Sequence, residues 1–65
     1  MNSYLFYCVF TLDSEGNAYT YLFPEQDEAL RRYLKHERVI LYQFSVGEEP
    51  FIREILRRER MEEIK

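Results

Sequence analysis

The chain has 65 residues and a formal net charge of −3, a length that predicts one small domain spanning residues 1–65. Hydrophobic residues make up 46% of the sequence and aromatic residues 17%, a composition typical of a folded protein rather than a disordered one. The excess of acidic residues argues against a protein that is held to nucleic acid or to a membrane surface by charge alone.

The first predicted element is a β-hairpin. Residues 3–12 carry no charge and are rich in aromatic and β-branched side chains, which favour a strand. Both alternating sets of side chains in this strand are apolar, as in a central strand that is covered on both faces. Asp13 and Gly16 are typical of a tight turn in which Gly16 takes a positive φ, and residues 18–23 form the returning strand.

A helix and a third strand follow the hairpin. Pro24 and the acidic residues after it are typical of a helix start, and apolar side chains recur at helical spacing, so a helix is predicted over residues 24–37. Residues 39–46 return to β-branched and aromatic character and end at Gly47, which predicts the third strand.

The last segment has the signals of a second helix. Pro50 is preceded by two acidic residues, which repeats the start signal of the first helix. Apolar residues then follow the helical period at Phe51, Ile52, Ile55 and Leu56. We therefore expect a helix over residues 49–62.

These elements predict an α+β fold: a two-layer β-β-α-β-α arrangement with a three-stranded antiparallel sheet in the order 2-1-3 and both helices on one face. No element is left to cover the other face of the sheet, although the strands carry large apolar side chains on both sides. We therefore expect a homodimer, buried through the sheet face or continued across the edge of the third strand.

The sequence offers few residues for catalysis or for binding a cofactor. Cys8 and His36 are the only residues of their kinds. Cys8 lies among aromatic residues, where a thiol packs as a small hydrophobe, and His36 suits the C-terminal end of the first helix. One Cys and one His do not complete a zinc site, and two glycines do not make a phosphate-binding loop. We predict a protein that is not an enzyme and has no metal or cofactor; a site composed across two chains of a dimer is the remaining enzymatic alternative.

Localisation is predicted from what the sequence lacks. No apolar run approaches the roughly 20 residues that span a bilayer, and no secretory signal is recognisable. A single cysteine fits a reducing compartment, so we predict a cytoplasmic protein with no membrane partner. Its small size and unspecialised composition also suit a phage or mobile-element protein.

The predicted function is that of a small non-catalytic protein–protein interaction or regulatory module, which self-associates through an aromatic sheet surface and presents further surface to a protein partner. The predicted contact residues are Tyr7, Tyr19, Tyr21 and Tyr42, with Arg31, Arg57 and Arg58 giving charge selectivity at the rim. The alternative is a nucleic-acid-binding regulator that uses the sheet aromatics and the helix arginines. Because the three predicted strands contain no Lys or Arg, a stacking face would lack the cations that phosphates require, and we rank this alternative second.

Overall fold

The computed structural model describes residues 3–59, which form four β-strands and one α-helix. The elements are β1 (Ser3–Leu12), β2 (Ala18–Phe23), α1 (Gln26–Tyr33), β3 (Val39–Gly47) and β4 (Phe51–Arg58). All neighbouring strands are antiparallel, and the sheet order is β2-β1-β3-β4. The predicted fold of three strands and two helices is therefore wrong: residues 3–59 form an α+β fold with a fourth strand and one short helix.

The β1–β2 hairpin occupies the predicted ranges and is closed by the side chain of Asp13. One carboxylate oxygen of Asp13 accepts hydrogen bonds from the backbone N–H groups of Glu15 and Asn17, both at 2.9 Å. The backbone N–H of Gly16 donates to the carbonyl of Asp13, and Gly16 has a φ of 90°. The predicted positive φ at Gly16 is therefore confirmed. A residue with a side chain would be strained in this conformation, which explains why the position favours glycine.

Strand β1 lies in the middle of the sheet, with β2 on one side and β3 on the other. Val9 is paired with Tyr21 and Leu41, whereas its neighbour Cys8 is paired with Leu22 and Tyr42. Paired residues of an antiparallel sheet project to the same face, so the odd-numbered residues of β1 lie on one face and the even-numbered residues on the other.

Helix α1 covers the face that carries Val9. Its N-terminal neighbour Glu25 is extended, and its last turn tightens because the backbone N–H groups of Lys35 and His36 donate to carbonyls three residues earlier. The helix is thus shorter than the predicted 24–37. Eight residues give a helix of about 12 Å, against about 33 Å for the ten residues of β1, so α1 covers only part of one face.

The hydrophobic core lies between α1 and the sheet. Ala29 and Tyr33 of the helix pack against a buried set from two strands. That set contains Tyr7, Val9, Val39 and Leu41, with Tyr21, Phe23, Leu30 and Ile55 packed at its margin. The buried hydroxyl of Thr11 donates to the carbonyl of Arg38 at 2.8 Å, which satisfies a polar group inside this layer.

Strand β4 replaces the predicted second helix. Gly47, with a φ of 132°, starts a short connection that turns the chain back onto β3. Without β4, the nine residues of β3 would present a row of unpaired backbone groups along one edge, and pairing those groups outweighs the helical spacing of the apolar residues. Residues 60–62 of the predicted helix lie outside the described part of the chain.

The β3–β4 pairing contains an irregularity that sets which β4 side chains face the core. Leu41 is paired with Leu56 and Tyr42 with Glu54, so Ile55 is the extra residue of a β-bulge. The side chain of Ile55 packs against the core. Because β4 occupies the outer edge of β3, the dimer predicted across that edge has no strand edge to use.

Candidate protein-interaction surface

The sheet face opposite α1, termed the open face, has no covering element among residues 3–59. The strand register assigns its members in antiparallel pairs across all four strands. They are Tyr4, Phe6, Cys8, Phe10 and Leu12 of β1, Ala18, Thr20 and Leu22 of β2, Ile40, Tyr42, Phe44 and Val46 of β3, and Ile52, Glu54 and Arg57 of β4. Only Thr20, Glu54 and Arg57 in this set are polar or charged, so the face is a continuous apolar surface.

The centre of the open face is a shallow depression of about 400 Å³. Its walls come from all four strands: Cys8, Leu22, Tyr42, Phe44 and Ile52. The rings of Phe6 and Phe44 lie 5.7 Å apart beside it, close enough for an aromatic pair. Leu22 and Ile52 are 64% and 76% exposed, so the outer walls of the depression are open to solvent.

A charged group marks one rim of the open face. The guanidinium of Arg57 donates to Glu54 at 3.0 Å and to Glu59 at 2.9 Å. These contacts lower the pKa of Glu54 and raise that of Arg57. The charges on this rim are therefore compensated within β4 and its following residue.

The two residues considered for catalysis lie on opposite sides of the sheet. Cys8 lines the open-face depression, and burial raises the pKa of its thiol. His36 lies on the helix side, where its ring stacks on Tyr21 at 6.0 Å. Burial, reinforced by the nearby positive charges of Arg32, Arg58 and Lys35, lowers the pKa of His36. A thiol with a raised pKa and a distant imidazole do not form a nucleophile–base pair.

The four tyrosines predicted as contact residues are divided between the two faces. Tyr7 is buried on the helix side, where its hydroxyl accepts a hydrogen bond from the side-chain amide of Gln43 at 3.1 Å. Tyr21 lies at the margin of the core, and Tyr19 donates its hydroxyl to Asp13 at 3.3 Å. Only Tyr42 lies on the open face.

The three arginines predicted at the rim lie in three different environments. Arg57 is at the rim of the open face, in the ion pairs described above. Arg58 is half-buried on the helix side, and its guanidinium donates to the carbonyls of Tyr33 and His36 at the end of α1. Arg31 is exposed on α1.

A cationic cluster lies on the helix side. It consists of Arg31 and Arg32 of α1 and Lys35, two residues after it, which surround an open depression of about 430 Å³ together with Phe23 and Glu28. The guanidinium of Arg32 lies over the ring of Tyr21, 4.2 Å from its centroid, in a cation–π contact. The lining of the depression thus combines one aromatic side chain, Phe23, with three positive side chains and one carboxylate.

Several open-face residues escaped the sequence prediction, chiefly Phe6, Phe10, Phe44, Leu22 and Ile52. The period of two in β1 places Phe6, Cys8 and Phe10 on one face, and the hairpin register then adds Leu22, so these members had a readable signal. Ile52 had none, because its segment reads as a helix.

Other classes of site are missing from the part of the chain that the structure describes. Within residues 3–59 no three His, Cys, Asp or Glu side chains are grouped so that they could hold a metal ion. In the same range, α1 is too short and too polar to cross a bilayer. Comparison of the chain with protein-family models, curated proteins and solved structures finds no match. The open face and the cationic cluster are therefore the candidate functional surfaces of residues 3–59.

Proposed function

We propose that this chain is a small, non-catalytic interaction module that pairs with a second copy of itself through the open face. The observation that carries the proposal is the apolar continuity of that face across all four strands. A contiguous apolar patch on a soluble protein often marks an interaction site. The single cysteine adds the expectation of a reducing, cytoplasmic setting.

The size of the open face supports pairing with a second copy. Four strands about 4.8 Å apart and about 26 Å long give a projected area of about 500 Å². Two such faces in contact bury about 1,000 Å², which is the threshold expected of a biological interface. A second copy is a suitable occupant because two apolar sheets pack face to face about 10 Å apart, as in a β-sandwich.

The edges of the sheet are less suited to pairing than its face. Strand β4 carries a bulge at Ile55 and three arginines, Arg53, Arg57 and Arg58, which discourage the addition of another strand. Pro24 directly follows β2 at the other edge and has no backbone N–H to donate. Both edges therefore favour association through the open face.

The alternative ligand for the aromatic side chains of the open face is a single-stranded nucleic acid. Contrary to the sequence expectation, one strand does carry arginines, but Arg57 is compensated by carboxylates and Arg58 is bound to helix carbonyls. Phosphate binding weakens steeply with ionic strength, whereas apolar pairing holds or tightens. Salt dependence therefore distinguishes the two occupants.

The test compares two leucine-sized side chains on opposite sides of the molecule. Ile52→Lys places a charge on the open face, and Leu34→Lys places one after α1; the native side chains are 76% and 66% exposed. Both changes should leave the fold of a single chain intact. Sedimentation equilibrium at micromolar concentrations should give a dimer mass for the native chain and for Leu34→Lys, and a monomer mass for Ile52→Lys.

The reactivity of Cys8 gives a second readout of the same pairing. Maleimide labelling should slow as the native protein is concentrated, because Cys8 lies in the covered centre of the pair, and should stay constant for Ile52→Lys. A native chain that stays monomeric, or two lysine variants with the same mass, would overturn the proposal.

A further inference from the structure

The cationic cluster of Arg31, Arg32 and Lys35 takes no part in the proposed pairing, because the cluster lies on the helix side of the sheet and the pairing uses the open face. In residues 3–59, the ion pairs are those of Arg57 with Glu54 and Glu59, so the cluster's three cations have no carboxylate partner there. Glu28 is the single acidic residue that lines the depression. Within residues 3–59, three positive charges are thus gathered around one depression beside a single carboxylate, although the net charge of the chain is −3.

The helix dipole alone does not explain why three positive side chains are grouped at the end of α1. The helix dipole favours cations in the last turn, where Arg31 and Arg32 lie. Arg31 and Lys35 are four residues apart, however, and like charges at this spacing repel across one helix face. A bound anion would relieve that repulsion.

The lining of the depression also contains an apolar surface that a ligand would have to match. Phe23 lines it directly, and Arg32 is held over the ring of Tyr21, so one guanidinium is oriented before any ligand arrives. Guanidinium groups bind carboxylates through paired hydrogen bonds, and Lys35 adds a mobile point charge beside them. A ligand that fits carries carboxylates next to an apolar side chain.

We infer that the cationic cluster binds an acidic segment of a partner protein, with an apolar side chain of that segment against Phe23. A nucleic acid fits less well: Asp27 and Glu28 lie one turn before Arg31 and Arg32 on the same helix, where they would repel the evenly spaced phosphates of a backbone running along it. The site is complete in a single chain. Under the proposed pairing, and only then, a dimer carries two such sites on its outer sides and binds a bivalent partner more tightly than a monovalent one.

The experiment uses fluorescent peptides of Glu and Asp around a central Phe, with Gln and Asn in place of the acids as the neutral control. Arg31→Glu with Lys35→Glu removes the exposed cations of the cluster. Arg38→Glu with Arg53→Glu changes the net charge equally at exposed positions elsewhere. Fluorescence anisotropy should show binding of the acidic peptide that is weakened about tenfold or more by the first pair and less than about twofold by the second.

Three outcomes would overturn the inference: equal loss in both double variants, equal binding of the acidic and neutral peptides, or tighter binding of a single-stranded oligonucleotide that is weakened by the cluster variant. Titration of the acidic peptide into Ile52→Lys separates the two proposals, because that residue lies on the open face. Unchanged affinity there supports a site that stands without self-association, and lost affinity contradicts a site complete in one chain.

Discussion

The same four strands contribute apolar side chains to both faces of the sheet, and the two faces differ in what covers them. On the face packed against α1, Val9 and Leu41 are fully buried. Their sequence neighbours Cys8 and Tyr42, on the open face, are only half-buried. The difference arises because α1, with eight residues, is the element that packs on the sheet within residues 3–59, and it packs on one face only.

Polar groups follow the same division. On the helix side, two polar side chains bond inside the molecule: Thr11 donates to the carbonyl of Arg38, and Gln43 donates to the hydroxyl of Tyr7. The charged side chains of the open face, Glu54 and Arg57, lie on the edge strand. The covered face therefore specifies the fold, and the open face keeps an apolar centre with a charged rim, which is the usual anatomy of a protein interface.

The largest expected difference between the faces is in the response to truncation of neighbouring β3 residues. Leu41→Ala removes a fully buried side chain and should cost about 2–5 kcal/mol at every protein concentration, a large share of the folding free energy of so small a domain. Ile40→Ala acts on the open face and should cost less in dilute solution. Urea unfolding followed by circular dichroism measures both.

Measuring both substitutions at several protein concentrations tests whether the open face is covered by a second copy. If the open face is buried by a second copy, the cost of Ile40→Ala grows as the protein is concentrated, because the native dimer is stabilised by mass action. The cost of Leu41→Ala, measured against the native chain at equal dilution, reflects the core of each monomer. Equal costs for the two substitutions in dilute solution would show that the two faces are not differently covered.

A smaller effect is expected at the adjacent arginines of β4. Arg58 lies on the covered side and donates to the carbonyls of Tyr33 and His36, which ties β4 to the end of α1. Arg58→Ala should therefore lower the free energy of unfolding by about 1–2 kcal/mol. Arg57→Ala, on the exposed rim, should change it little.

The arginine pair also tests the course of the C-terminal segment. In a helix over residues 49–62, Arg57 and Arg58 would both be solvent-exposed charges and would respond alike. Chemical-denaturation midpoints that coincide for the two alanine variants would contradict the contact between β4 and the end of α1.

Local signals in the sequence were sufficient for the first half of the fold. The β1–β2 hairpin follows from an uncharged aromatic run, from Asp13 as a side-chain acceptor and from Gly16 at a positive φ. Helix α1 was also indicated by local signals, but its predicted length was too great. The backbone N–H groups of Lys35 and His36 donate to carbonyls three residues earlier, so the α-helix ends in a tighter turn.

The error in the second half has a non-local cause. Residues 51–58 carry a helix start signal and a helical apolar period, yet they pair with β3, whose outer edge exists only once the sheet has formed. The bulge at Ile55 disguises the period of two that a strand should display. The tyrosine predictions suffered from a related limit. Aromatic content identifies sheet residues, but only the register separates Tyr42 from Tyr7.

The smallest expected effect is a pH dependence that belongs to the covered side alone. His36 stacks on Tyr21, and its Nε2 is buried without a hydrogen-bond partner within residues 3–59. Its pKa in the folded chain is lowered below the ordinary value of 6.5, chiefly by burial and then by the neighbouring cations. As the pH falls below 6.5, the unfolded chain binds a proton that the folded chain refuses.

The stability contributed by neutral His36 is therefore fully present above pH 6.5 and is lost as the pH falls through its lowered folded value. Thermal unfolding of the native chain should show a midpoint that decreases from about pH 7.5 to about pH 5.5, the range around the ordinary histidine pKa, and His36→Gln should flatten this slope. Three shifted groups elsewhere move away from that window: the pKa of Cys8 is raised from 9.0, and those of Asp13 and Glu54 are lowered from 3.8 and 4.5. A His36→Gln variant with the native slope would show that His36 does not carry the pH dependence.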